Sequence, residues 1–149
     1  MSASSFRSLA GIPDSTASPT DTALLIIDAQ NEYLSGALAV KNGPQSSAVI
    51  ADLLKKWRSA NGKIIHVLHK VPEGTPVFTP GTKLAEEIEG VEAKEGEPVI
   101  WKLYPGSFAE TELQAKLKEW GVQKVALVGY MVSLFSRRGR KEAMINDRN

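Results

Sequence analysis

Asp28 and Lys102 each stand where a short apolar run ends, and both are of types that can accept, hold or steady a proton. Asp28 closes TALLIID and Lys102 follows PVIW. An aspartate in such a place is as readily a loop cap as a catalytic group, and Lys102 taken alone reads as a surface lysine. His66 and His69 are three apart in KIIHVLH. That spacing sends them to opposite faces of a strand, so they read as residues at the edge of a core and not as ligands of one metal ion. The sequence has 0 cysteines, which excludes disulfides, thiolate metal sites and thiol nucleophiles together.

The elements that would position these residues alternate along the chain. TALLII is a continuous apolar run, as expected of a strand buried on both faces of a parallel sheet. After a loop carrying Asn42, Gly43 and Pro44, the residues Val49, Ile50, Leu53, Leu54 and Trp57 recur at helical spacing, with Lys55, Lys56 and Arg58 on the other side. Asn61 and Gly62 end that helix, and KIIHVLH is a second strand. The broken stretch VPEGTPVFTPGTK predicts a loop of the kind that carries function, and LAEEIEG predicts a short helix. PVIW is a third strand. Ser107 and Glu110 have capping-box spacing for a helix with Ala109, Leu113, Leu117 and Trp120 on one face and Gly121 at its end. KVALVG is a fourth strand, expected to be buried. The alternation predicts an α/β fold, a Rossmann-like doubly wound parallel sheet in three α/β/α layers. Ligands of such sheets bind beyond the carboxyl ends of the strands, where Asp28, Lys102 and the GYM turn after Gly129 all fall.

The chain has 149 residues, 42% of them hydrophobic, enough for one domain with a sizeable core. A net charge of +1 offers no general attraction to nucleic acid or an anionic membrane, so neither is an expected partner. No glycine-rich phosphate loop is present, which disfavours a nucleotide-binding domain. Residues 1–20 read as a flexible leader rather than a transit peptide, because Arg7 is their only basic residue and no apolar h-region interrupts them. This points to a cytoplasmic protein. The cluster Arg137, Arg138, Arg140 and Lys141 lacks aromatic interleaving and reads as a solvated tail.

Four segments, LLIIDAQNEYL, HVLHKVPEGTPVFTPGT, VIWKLYPGSFAETELQAKL and KVALVGYM, resemble the isochorismatase-like cysteine hydrolases in order and spacing, over 22–131. The resemblance implies hydrolysis of a small amide, vinyl ether or related substrate; the sequence shows no zinc pattern of the nicotinamidase kind, so neither a metal nor a cofactor is expected. It assigns Asp28 and Lys102 to a triad with a cysteine beyond the fourth strand. In that chemistry the carboxylate takes the thiol proton, the lysine holds the carboxylate and favours charge on sulfur, and backbone N–H groups stabilise the oxyanion. It places the oxyanion turn, with a cis peptide, at Met131 and Val132, and substrate contacts at Gln30, Tyr33 and Phe108.

The departure follows Met131. Phe135 occupies the position where the resemblance places the cysteine, and phenylalanine offers neither lone pair nor proton. Relatives also continue the sheet past the fourth strand, whereas 132–149 here is a divergent basic tail, so the sheet is expected to be incomplete on its C-terminal side. The strand at 124–129 would then be an open apolar edge, predicting association with a second copy or another chain. Val132-Ser133 can be written in codons that form a splice-donor hexamer, so a tail of translated intron is one reading, tested by the codons themselves. Two functions follow as expectations: a hydrolase-family protein that is inactive as this chain, or a non-catalytic module binding a small molecule or a subunit.

Overall fold

TALLII forms β1 (Thr22–Ile27), with all six residues buried. The computed structural model describes residues 9–11 and 16–131. β1 pairs in parallel with β2 (Ile64–His69) on one side and β4 (Lys124–Gly129) on the other. β3 (Val99–Lys102) pairs in parallel with the outer side of β2, so the order is β3-β2-β1-β4. Alternate residues of β1 face opposite ways: Leu24 and Ile26 enter one core, Ala23, Leu25 and Ile27 the other. Burial of each large aliphatic chain stabilises the fold by about 1.5–3 kcal/mol, which explains a central strand without a polar residue between Ala23 and Ile27.

After the single turn α1 (Glu32–Ser35), helix α2 (Gly43–Ser59) covers the first core with Ile50, Leu54 and Trp57. The Trp57 indole N–H also donates to Thr22 O at 3.0 Å, fixing the helix to the start of β1. Pro44 sits in the first turn, where its missing N–H costs nothing, and the chain leaves the helix through Asn61 at φ 52°. Helix α3 (Leu113–Glu119) covers the opposite face through Leu113 and Leu117 and ends at Gly121, φ 63°. The expected α/β fold with three layers is therefore present.

Three local expectations are corrected. Val49 does not join the apolar face of α2 and is 60% exposed. LAEEIEG is not a helix: only a 3-10 turn, Lys83–Ala85, forms. Beyond it the backbone is committed to the β1 loop, with Asn31 N donating to Glu86 O and Ile88 N to Ala29 O, both at 2.9 Å. The capping box at Ser107 is also absent. Glu110 adopts φ 54°, which a helix cannot contain, so α3 begins only at Leu113.

His66 is more than an edge residue. It is fully buried, with Nδ1 2.6 Å from Glu87 Oε1 and Nε2 3.1 Å from Glu97 Oε2, while Arg58 forms a two-pronged pair with Glu97. This cluster holds 87–97 against β2 and so supports the wall on which the β1 loop rests. β4 has β1 on one side and no described strand on the other.

Candidate functional site

All four strands deliver a residue to one crevice at their carboxyl ends. Asp28 follows β1, His69 ends β2, Lys102 ends β3, and Tyr130 and Met131 follow β4. β3 alternates exposed and buried residues, so Val99 and Trp101 face outward and Lys102 faces in. There the Lys102 Nζ lies 2.8 Å from Asp28 Oδ2 and also donates to Pro105 O at 3.1 Å. Both ion-pair side chains are nearly inaccessible, at 3% and 4%.

Asp28 sits at φ 53°, a conformation costing about 1–3 kcal/mol for a residue with a side chain. Its N–H donates to Val67 O and its carbonyl accepts from Gln30 N, each at 2.8 Å, which hold the bend. Burial raises its pKa to about 6, against the opposing pull of Lys102. Among the described residues, Asp28 Oδ1 is buried without a hydrogen-bond partner, as is His69 Nδ1. Burial first, and Lys102 second, hold the His69 imidazole below its ordinary pKa.

The folded-state pKa of Asp28 lies above its unfolded value, so its contribution to stability is fully present below about pH 4 and is lost as pH rises through about 6. Asparagine cannot titrate. Urea unfolding should therefore show the wild type losing about 3 kcal/mol relative to Asp28→Asn between pH 4 and 7.5. A pH-independent difference would contradict this assignment.

A pocket of about 150 Å³ opens on the pair, walled by Tyr33, Leu38, His69, Phe78 and Met131. Tyr33 stacks on Tyr130 with centroids 4.9 Å apart and meets Phe78 edge-on at 5.5 Å. The D-x-Q-x-x-Y segment and the V-G-Y-M segment thus meet ring to ring across the crevice. Tyr130 Oη lies 2.9 Å from Ser46 Oγ, which seats that ring against α2.

Gln30 is fully buried and its amide is engaged on both sides. Its Nε2 donates to His69 O at 3.0 Å and Ala85 O at 2.8 Å, and its Oε1 accepts from His69 N at 2.9 Å. It therefore ties the β1 loop to the end of β2. Gln30→Ala should cost about 2–4 kcal/mol in urea unfolding, since it strands buried backbone groups. Gln30→Glu should be at least as damaging, because it sets a carboxylate oxygen against two carbonyls; a neutral result for either would contradict the tie.

The structure brings Asp28, Lys102, Tyr33 and Met131 together, while Phe108 packs against the second core with Leu113. Val132 and Phe135 lie outside the described residues, and no peptide bond among the described residues is cis. Sequence reasoning missed His69, Phe78 and Glu32. The buried Glu32 carboxylate accepts from Leu38 N at 3.2 Å and Phe78 N at 2.9 Å, joining two walls of the pocket. An acid two residues past Gln30, followed by Tyr33, was the available signal.

A family model described as the isochorismatase domain matches residues 22–134. The chain belongs to the isochorismatase family. A secreted isochorismatase effector, Isc1, of Verticillium dahliae is 51% identical over 140 residues, covering 91% of this chain and 74% of that protein. An uncharacterized isochorismatase family protein, YddQ, of Bacillus subtilis is 39% identical over 113 residues, covering 74% of this chain and 62% of its own length. The crystal structure of an isochorismatase from Pseudomonas putida superposes with a TM-score of 0.83 at 35% identity, over 95% of this chain and 74% of that one. The isochorismatase fold is thus the one described above.

The Verticillium protein also corrects the expectation of a cytoplasmic chain. A relative that shares half its residues over most of this chain is a secreted protein. The cytoplasmic expectation rested on the N-terminal segment lacking an apolar run, and a folded α/β domain carries no chemistry that fixes its compartment. A sequence with 0 cysteines fits either redox environment.

Proposed function

We propose that this isochorismatase-family chain binds a small carbonyl compound at Asp28 and Lys102, outside the cell, and does not hydrolyse it. The observation that carries this reading is the count of 0 cysteines in the whole sequence. Hydrolysis of an amide by this family's route, as the resemblance describes it, needs a thiolate to attack the carbonyl carbon, and phenylalanine stands at 135.

The remaining parts suit binding. Lys102 supplies a buried cation toward a carbonyl oxygen, and Asp28 Oδ1 is a buried acceptor without a partner among the described residues, suited to an amide N–H. The aromatic walls exclude water and strengthen both contacts. Secretion is proposed on the likeness to the Verticillium effector.

The experiment is an assay of the purified chain with small amides and isochorismate, followed by product analysis, beside a binding titration of the same amides. Binding that Asp28→Leu abolishes, with hydrolysis no faster than in buffer, is the expected pair of results. Turnover that depends on Asp28 would overturn the reading.

A further inference from the structure

The pocket at Asp28 shares a wall with a second concavity. His69 and Phe78 line both, and the second, of about 230 Å³, lies between the edge strand β3 and the loop after β2. The two rings form the partition, with centroids 5.2 Å apart. Beyond it the walls are Lys70, Val71, Pro80, Gly81, Ala85 and the outward face of Trp101. Trp101 is 52% exposed, a large apolar surface that an edge strand ordinarily avoids presenting to water. At the partition, His69 has its backbone N–H and carbonyl both bound by Gln30, while its Nδ1 is buried and has no partner among the described residues.

Volume distinguishes the two compartments. A cavity of roughly 150 Å³ accommodates a group about the size of benzene, whereas small-molecule sites span about 300–1,000 Å³. The pocket at Asp28 alone holds only the reacting end of a ligand, and the two compartments together reach the range of a complete site. Polarity differs too, since the ion pair sits in one, while the other, which Lys70 also borders, is walled mainly by aliphatic and aromatic carbon.

We propose that the ligand of this site is a carbonyl compound with an apolar arm of about one ring: the carbonyl lies at Asp28 and Lys102, the arm lies on Trp101, Pro80 and Ala85, and His69 contacts the ligand where it crosses. This deepens the functional reading above and rests on it. The His69 ring, held neutral by burial and by Lys102, can meet a polar hydrogen of the ligand through Nδ1.

Calorimetric titration of the full chain with propanamide and with 4-phenylbutanamide tests the proposal. The wild type should bind the arylalkyl amide at least tenfold more tightly. Trp101→Ser and Ala85→Arg should each remove that preference and leave propanamide affinity within about twofold, and circular dichroism would establish that both variants are folded. Equal affinity for the two amides in the wild type, or a preference that survives both substitutions, would overturn the arm site while leaving the carbonyl site standing. No binding of either amide would overturn both. Hydrolysis of the arylalkyl amide with a KM at least tenfold below that of propanamide would overturn only the inactive reading.

Discussion

Lys102→Met is expected to destabilise the fold by about 3–5 kcal/mol in urea unfolding at pH 7.5. The side chain it replaces lies 2.8 Å from the Asp28 carboxylate, and both groups are buried. Methionine fills the space of the lysine stem, so the loss is not a cavity; it is a buried carboxylate left without its cation. Because the Asp28 pKa is already raised to about 6, the carboxyl has a way out: it takes up a proton. The penalty should therefore shrink by about half or more at pH 5, and Asp28→Asn combined with Lys102→Met should recover most of it. An equal loss at both pH values with no recovery in the double variant would mean that Lys102 acts through its packing and not its charge.

Gly129→Ala should be as severe for a different reason. Gly129 closes β4 at φ 131°, a conformation open essentially to glycine alone, and a Cβ there would lie 1.9 Å from Ile27 O. The atom in the way is backbone of the central strand, which cannot move without loosening β1. The same carbonyl accepts the Tyr130 N–H at 2.9 Å, so a shift would also release the turn that carries Tyr130 and Met131 into the crevice. Strain and lost packing together should exceed about 3 kcal/mol, lowering the melting temperature by roughly 6–12 °C. A melting temperature within about 2 °C of the wild type would show that the turn has room the structure does not indicate.

The sheet was legible because a strand covered on both faces has no use for polar alternation, and TALLII and KIIHVLH lack it; KVALVG reads the same way, yet Lys124 and Val125 are exposed and the rest of β4 is only half-buried. The face of α2 was legible at Leu54 and Trp57 and illegible at Val49. Helical spacing gives a stripe but not its width, and Val49, next to Ile50, is turned about 100° off the stripe. Asp28 and Lys102 could be placed at strand ends from pattern alone, but their meeting was legible only through the family resemblance.

Other features depend on contacts distant in sequence. LAEEIEG reads as a helix locally, yet its carbonyls serve Gln30 and Asn31, more than 50 residues earlier. The same holds for Glu32, an apparent surface acid whose partners are the backbone N–H groups of Leu38 and Phe78. His69 entered the site because it ends β2 beside Lys102, a register that pairs the two residues directly across the strands.

Single-turnover incubation tests the absence of a nucleophile most directly. The purified chain, in molar excess over a small amide, is followed by intact-protein mass spectrometry and by quantifying free acid. The expected result is an unmodified chain and acid formed at the rate found without protein. An acyl mass added to the chain, or acid released in proportion to protein and lost with Asp28→Asn, would contradict the account, since it would mean that some group other than sulfur attacks the carbonyl in this site.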